Sequence, residues 1–479
     1  MNSKLNTLAL AISVAAFASP ALAAGEAKNV IFFLGDGMGP VTTTATRVKY
    51  YDVVTGDKVV MGSMAMDKLP YAARIKTFSK DGQTTDSAPS MAAYMTGVKT
   101  RNETLGLDGT TVAVSPGTDA ATGVGSAVDK CPTTGNGSPS VTLLELAIAK
   151  GKATGAVTTA RLTHATPAAT YAHTCHRNAE YEIARQAVPG GAGANPALGA
   201  GVNVLLGGIS QYWRPYDAAT NNKGRPDGRD LVAELQAKGY TAVSDLATLN
   251  AAPSTATTRL IGLFDQAKAE GHMSYELDRD ATKEPSLSQM SVKAVDILSK
   301  NANGFFLMVE GGRIDHALHG NNAARALADT KAFDDAIQAV IDKVKTFDPE
   351  LTNTLIVVTA DHDHGMAFNG YGKRGTDILG PNINYVTGTP SKDANGVTYG
   401  NLVFANGSKR ADVRVDVDAA TMTSKDYLQE AVIRKGGVGS ETHGGGDVKL
   451  HAAGAGAKTF KGTIDNTKVF GLVKTAAGY

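Results

Sequence analysis

Three short apolar runs each lead into an acidic residue, and this arrangement confines the chain to few architectures. Asp36 lies just past Asn29-Val-Ile-Phe-Phe-Leu34, Glu310 follows Gly304-Phe-Phe-Leu-Met-Val309, and Asp361 follows Thr354-Leu-Ile-Val-Val-Thr-Ala360. Unalternating runs of this length, rich in β-branched and aromatic residues, read as parallel strands buried on both faces. Open α/β folds bind their ligands beyond the carboxyl ends of such strands. Carboxylates gathered at that edge repel one another unless cations neutralise them, and Asp315-x-x-x-His319, His362 and His443 supply softer ligands close by. The runs therefore predict a multi-metal site.

Further runs at 154–159 and 201–206 look like buried strands. Apolar residues recurring at three and four predict helices over 140–150, 231–238, 286–300 and 321–345. Strand and helix in alternation predict an α/β fold: a doubly wound, mostly parallel central sheet with helices on both faces and right-handed crossovers. Gly- and Ala-rich passages at 108–136 and 189–201 read as loops. From about 365 to 440 the rhythm changes to Gly, Asn, Pro and Tyr turns between short strands. That stretch interrupts two candidate metal-ligand segments, so it reads as an inserted subdomain leaving and rejoining one core.

The 479 residues are ample for one large core or two domains. Lys and Arg total 47 against 46 Asp and Glu, so no overall field favours nucleic acid or an anionic membrane. The amino-terminal segment reads differently. Lys4, an apolar stretch over 8–17 and Ala21-Leu22-Ala23 have the pattern of a secretory signal peptide at 1–23, with cleavage after Ala23. Residues 24–479 form the expected mature domain, exported to the periplasm or medium with no stable membrane anchor. In an exported chain, the cysteines Cys131 and Cys175 are candidates for a disulfide, with two free thiols as the alternative.

The chemistry-bearing fragments are ambiguous one by one. Ser87, in Thr84-Thr-Asp-Ser-Ala-Pro89, places a hydroxyl at a helix start, where free N–H groups favour an anion; it also suits a simple N-cap. No neighbouring histidine offers a general base, so activating Ser87 falls to a metal. Asp315 and His319 project from one helical face, as ligands of one zinc or as an exposed pair. Asp361-His362 also reads as strand-ending polar residues, Asp36 as part of a turn, and Arg177 as a surface arginine whose planar fork suits two phosphate oxygens.

Their order is more telling. Leu34-Gly-Asp-Gly-Met-Gly39, Thr85-Asp-Ser-Ala88, Val309-Glu-Gly-Gly-Arg-Ile-Asp-His316, Thr359-Ala-Asp-His362 and Glu441-Thr-His-Gly444 follow one another along the chain. Together they resemble the metal-dependent, serine-nucleophile alkaline phosphatases over 28–451. The resemblance implies hydrolysis of small phosphate monoesters of broad range, best at alkaline pH, with two zinc ions and one magnesium ion. Ser87 would be the nucleophile forming a phosphoserine, and Arg177, oriented by Asp86, the phosphate clamp. Asp315, His319 and His443 would hold one zinc. Asp361 and His362 would hold the second, beside Ser87 and with Asp36 bridging to magnesium, whose other ligands would be Thr166 and Glu310.

His164 and His316 stand where the enterobacterial pattern has Asp and Lys; both match the animal-type pattern, as do Gly304-Phe-Phe-Leu307 and Tyr275-Glu-Leu-Asp-Arg279. Both would flank the bound phosphate. An imidazole in place of a carboxylate loosens magnesium or admits zinc at the third site, unless His164 merely hydrogen-bonds from behind. The likeness also implies a peripheral cation near Phe264, Asp265 and Glu284, and equates the insertion with a crown-like subdomain at a dimer interface, leaving a homodimer open. A phosphodiesterase or sulfatase-like member of the same superfamily is the alternative, disfavoured because Thr85-Asp-Ser-Ala-Pro89 lacks the sulfatase arginine. A zinc or phosphate store, with Ser87 only a cap, is a weaker one.

Overall fold

The three apolar runs stand side by side at the centre of a ten-stranded sheet. The computed structural model describes residues 27–479 apart from 56–57, 120, 124–130, 133–134 and 435–439, so the expected leader lies outside the described residues. In chain order the sheet strands are β1 (Asn29–Gly35), β2 (Tyr71–Lys76), β3 (Ala153–Arg161), β4 (Val204–Gly208), β5 (Thr241–Val243), β6 (Leu260–Phe264), β7 (Phe305–Gly311), β8 (Thr354–Ala360), β9 (Val448–Gly454) and β10 (Gly462–Asp465). Across the sheet they run β10-β2-β9-β8-β1-β7-β3-β4-β6-β5. Only β9 is antiparallel to its neighbours. The expected α/β class with a mostly parallel sheet is thus what the chain forms.

Every residue of β1, β7 and β8 is buried, which accounts for their lack of alternation. Successive side chains still face opposite ways. Phe32 packs on Tyr94 of helix Ser87–Thr96 with ring centroids 5.6 Å apart, whereas Phe33 meets Phe333 of helix Ala323–Lys345 at 6.0 Å. These contacts place helices on both faces. Register then aligns the strand ends: Leu34 lies opposite Glu310 and Gly35 opposite Ala360, so Asp36, Glu310 and Asp361 emerge at one level.

Most helix limits follow their caps. Thr142 and Ser286 form capping boxes that start Leu143–Ala149 and Leu287–Leu298, and Asn322 starts Ala323–Lys345, each a residue or more inside the periodic pattern. The strand expected over 201–206 begins only at Val204, because Gly201 turns the chain at φ +98°. The edge strands β5 and β10, together with β2, β6 and β9, lie outside the runs that the sequence marks as strands. Tyr71, Arg74 and Lys76 face solvent along β2, which masks its pattern.

Past β8, Asp363–His364 pairs antiparallel with His443–Gly444, so a two-stranded ribbon forms the neck of the 365–440 stretch. Beyond this neck, Met366–Phe368, Leu402–Gly407 and Ala431–Arg434 form a small sheet of their own. Cys131 and Cys175 are joined by a disulfide with Cα atoms 5.7 Å apart.

Candidate active site

Asp36 turns inward because Gly37 takes φ +64° immediately after β1 and donates its N–H to Asp361 Oδ1 at 2.9 Å. Asp36, Glu310 and Asp361 are all fully buried. Each keeps one carboxylate oxygen with no hydrogen-bond partner, namely Asp36 Oδ2, Glu310 Oε1 and Asp361 Oδ2. Buried Thr166 Oγ1 and His164 Nδ1 are likewise unpartnered. Burial, followed by the charges of Asp315 and Glu310, raises the Asp36 carboxyl well above its usual range. Burial also lifts Glu310 to about 7 and, with Asp36 beside it, Asp361 to about 8. Crowded, dry carboxylates with idle oxygens are costly unless something positive faces them.

The histidines show the same shortage. His443 Nδ1 lies 2.8 Å from the Thr85 carbonyl, and His319 Nδ1 2.6 Å from that of Glu441. A carbonyl only accepts, so each Nδ1 carries the proton and each Nε2 is left with a lone pair. These two Nε2 atoms face each other at 3.0 Å, a repulsive contact unless a cation lies between them. His362 Nδ1 is similarly committed to the Asp363 carbonyl at 3.1 Å. Its Nε2 faces Asp36 and Asp361 at 3.4 Å each and Ser87 Oγ at 3.2 Å. Burial and neighbouring histidines depress His443 and His319, which keeps them neutral and able to ligate.

Among the described residues four groups of potential ligands result: Asp315, His362, His364 and His443; His319, His364 and Glu441; Asp36, Asp361 and His362; and Asp36, His164 and Glu310. Mixed imidazole and carboxylate donors suit zinc, whereas the oxygen-rich Asp36, Thr166 and Glu310 suit magnesium. The residues present fit both. His364 had escaped notice. Its Nε2 meets Asp315 Oδ1 at 2.6 Å and its Nδ1 meets a Glu441 oxygen, so both nitrogens donate to carboxylates. Burial opposes its charge, but these two anions raise it to about 10 and make it a cationic anchor for Asp315. The alternation in Asp361-His-Asp-His364 was the available signal, since residues two apart share one side of a strand.

Ser87 is not a cap. Asp86 takes that place, its Oδ1 accepting from Ala88 N at 2.8 Å, which frees the buried Ser87 hydroxyl, 3.3 Å from Asp36 Oδ1. Tyr94 O–H donates to the Ala360 carbonyl at 2.8 Å and Ser90 Oγ to that of Asp361 at 2.6 Å, binding the helix to the end of β8. Arg177 donates from Nη1 to Asp86 at 2.7 Å and from Nη2 to His164 Nε2 at 2.9 Å. Because a guanidinium only donates, His164 Nε2 accepts and its proton sits on Nδ1, the atom that has no partner of its own. His316 lies 5.2 Å from His164 between ring centroids and 3.9 Å from His272, another histidine not anticipated. Asp265 and Glu284 are engaged elsewhere. Asp265 accepts from Ser210 N and Oγ at 2.7 and 2.6 Å, Glu284 accepts from Ser274 N, and neither belongs to a ligand group among the described residues.

This geometry is matched by known proteins. Residues 27–479 fit the profile of the family described as alkaline phosphatase. The chain belongs to the alkaline phosphatase family. It is 34% identical to alkaline phosphatase from Gadus morhua over 468 residues, covering 93% of this chain and 90% of that one. It is 35% identical to the tissue-nonspecific isozyme from Gallus gallus, covering 92% and 83%. Among solved structures, the alkaline phosphatase of Thermus thermophilus superposes with TM-score 0.67 at 27% identity, covering 95% of this chain and 92% of that one. That of the Antarctic bacterium TAB5 shares the fold at TM-score 0.63 and 22% identity, over 94% and 98%. As a member of the alkaline phosphatase family, the chain is a phosphomonoesterase.

Proposed function

We propose that the chain hydrolyses small phosphate monoesters of broad range through a phosphoserine at Ser87, within a site that holds two zinc ions and one magnesium ion. The observation that carries this reading is the set of Nδ1-anchored imidazoles whose Nε2 lone pairs converge on one another and on buried carboxylates beside the Ser87 hydroxyl. Asp315, His319 and His443 would hold one zinc, Asp361, His362 and Asp36 the other, with Ser87 Oγ in reach; Asp36, Thr166 and Glu310 would hold magnesium. Bound there, the ions supply Lewis acidity that stabilises an alkoxide and a departing oxygen.

The chain's own groups do the rest. Arg177 presents two N–H groups to two phosphoryl oxygens, and Asp86 and His164 fix its plane. Ser87 Oγ attacks phosphorus, the bond to the alcohol breaks, and the phosphoryl group rests on the helix start. Water then displaces Ser87 from phosphorus, so two inversions return the original configuration. His316 and His164 flank the phosphate. The alcohol portion finds no dedicated contact in this scheme, in keeping with broad substrate range. Export with cleavage after Ala23, an alkaline optimum, a crown-like role for 365–440 and pairing of two copies belong to the same reading.

Elemental analysis and trapping test it together. About two zinc and one magnesium per chain are expected, with acid quenching leaving one phosphoryl group on wild-type protein and none on Ser87→Ala. Trapping on another residue, or faster cleavage of a diester than of its matched monoester, overturns the reading.

A further inference from the structure

Glu103 carries a side chain where the backbone favours glycine. Its φ is +71°, in the left-handed region that costs an L-residue conformational energy. The backbone contacts explain why that conformation is kept. The Glu103 N–H donates to Asp86 Oδ2, and its carbonyl accepts from Arg177 N–H at 2.7 Å. Asp86 Oδ1 takes the Arg177 guanidinium at 2.7 Å, so a closed circuit of hydrogen bonds runs through Glu103 and both members of the clamp. Two residues on, Leu105 and Thr174 exchange backbone hydrogen bonds of 3.0 Å each, locking the two loops together.

Glycine would satisfy every one of those contacts, so the carboxylate calls for a separate explanation. It lies 3.8 Å from His176 Nε2, with the side chain 43% exposed. His176 is the residue next to Arg177, and the Arg177 N–H already reaches the Glu103 carbonyl, so the Glu103 charge stands close enough to the clamp to favour its charged form alongside Asp86. Burial and the adjacent Asp86 push the Glu103 carboxyl above its ordinary range, as expected for an anion crowded by another. Arg177 is thus ion-paired with Asp86, with the Glu103 carboxylate beside His176 as a second, more distant negative charge. A dianionic product bound by the same guanidinium would meet that second negative charge.

We propose that Glu103 sets the affinity of the site for phosphate, its carboxylate offsetting part of the Arg177 charge so that the product is released rather than retained. The inference rests on the assignment of Arg177 as phosphate clamp. Glu103→Gln removes the charge and keeps the shape, whereas Glu103→Gly also suits the left-handed backbone and guards against a folding defect. For the metal-loaded enzyme at fixed pH, the inhibition constant for inorganic phosphate is expected to fall about threefold to tenfold in both variants, as for removal of one partly screened like charge. KM for a phosphomonoester should fall alongside while kcat does not rise, and added salt should narrow the difference. Inhibition constants within about twofold of wild type, or higher ones, overturn the proposal. If phosphate fails to inhibit the wild-type protein competitively, the clamp assignment itself is wrong; if wild type is inhibited and the variants do not move, only the role of Glu103 is.

Discussion

A proton on one ring nitrogen decides what the other can do, and this chain settles that question through its backbone. The carbonyls of Thr85, Glu441 and Asp363 each engage an Nδ1, leaving His443, His319 and His362 to offer Nε2. Ser87 stands apart from this set because Asp86 has taken the capping role. Ser87→Ala should therefore keep the metals and the fold but lower kcat by at least about 10³-fold, since it removes the group that accepts the phosphoryl; steady-state rates beside metal content check this. His364 acts one step back. Replacing it with Asn removes a charged donor from Asp315 Oδ1, and zinc affinity should weaken about 10-fold to 100-fold, as measured by competition with a chromogenic chelator.

Turns at the ends of β1 and β8 convert these residues into a site. Gly37 is one of them: a Cβ there would lie 2.6 Å from His364 Cδ2 and 3.1 Å from Asp315 Oδ1, at a φ that already disfavours it. Gly37→Ala should cost about 1–2 kcal/mol from backbone strain alone and also reduce zinc occupancy, read from the denaturant midpoint and from metal content. Elements of this kind were the legible part of the sequence. β1, β7 and β8 announced themselves because burial on both faces leaves an unbroken apolar run, and the acidic residue after each run marked the shared edge. β9 was obscured by Lys449 and His451, and its antiparallel course depends on pairing with β8 and β2 across distant sequence. His272 could not be read either. It belongs to no motif and reaches His316 only because the β6–β7 connection folds back over β3, where Arg161 meets both of its ring nitrogens. Glu103 was equally hidden, since a left-handed φ leaves no mark on a single side chain.

Across the whole molecule the ligands come from segments hundreds of residues apart, so the cations would also serve as cross-links. Asp36 leaves β1, Glu310 ends β7, Asp361 follows β8, and His443 returns through the ribbon that closes the 365–440 stretch. Without cations, the fold must hold Glu310 at about 7 and Asp361 at about 8, both above the value of about 4 for a carboxyl in the unfolded chain. Between those limits the folded protein binds more protons than the unfolded one, so the stability of metal-free protein is fully present below about pH 4 as far as these groups are concerned and is lost as pH rises through about 8. Metal ions reverse the dependence, because they bind the deprotonated ligands and compete with protons for them. Each ion at 1,000 times its dissociation constant adds about 4 kcal/mol to the folded state. Calorimetry of chelated and reloaded protein from about pH 7 to about pH 9, where the imidazoles that burial depresses are neutral both folded and unfolded, should therefore show the chelated form melting earlier as pH rises and the gap to the loaded form widening. Parallel curves would mean that the buried carboxylates carry no such proton load, and the argument for a cation-dependent edge would fail with them.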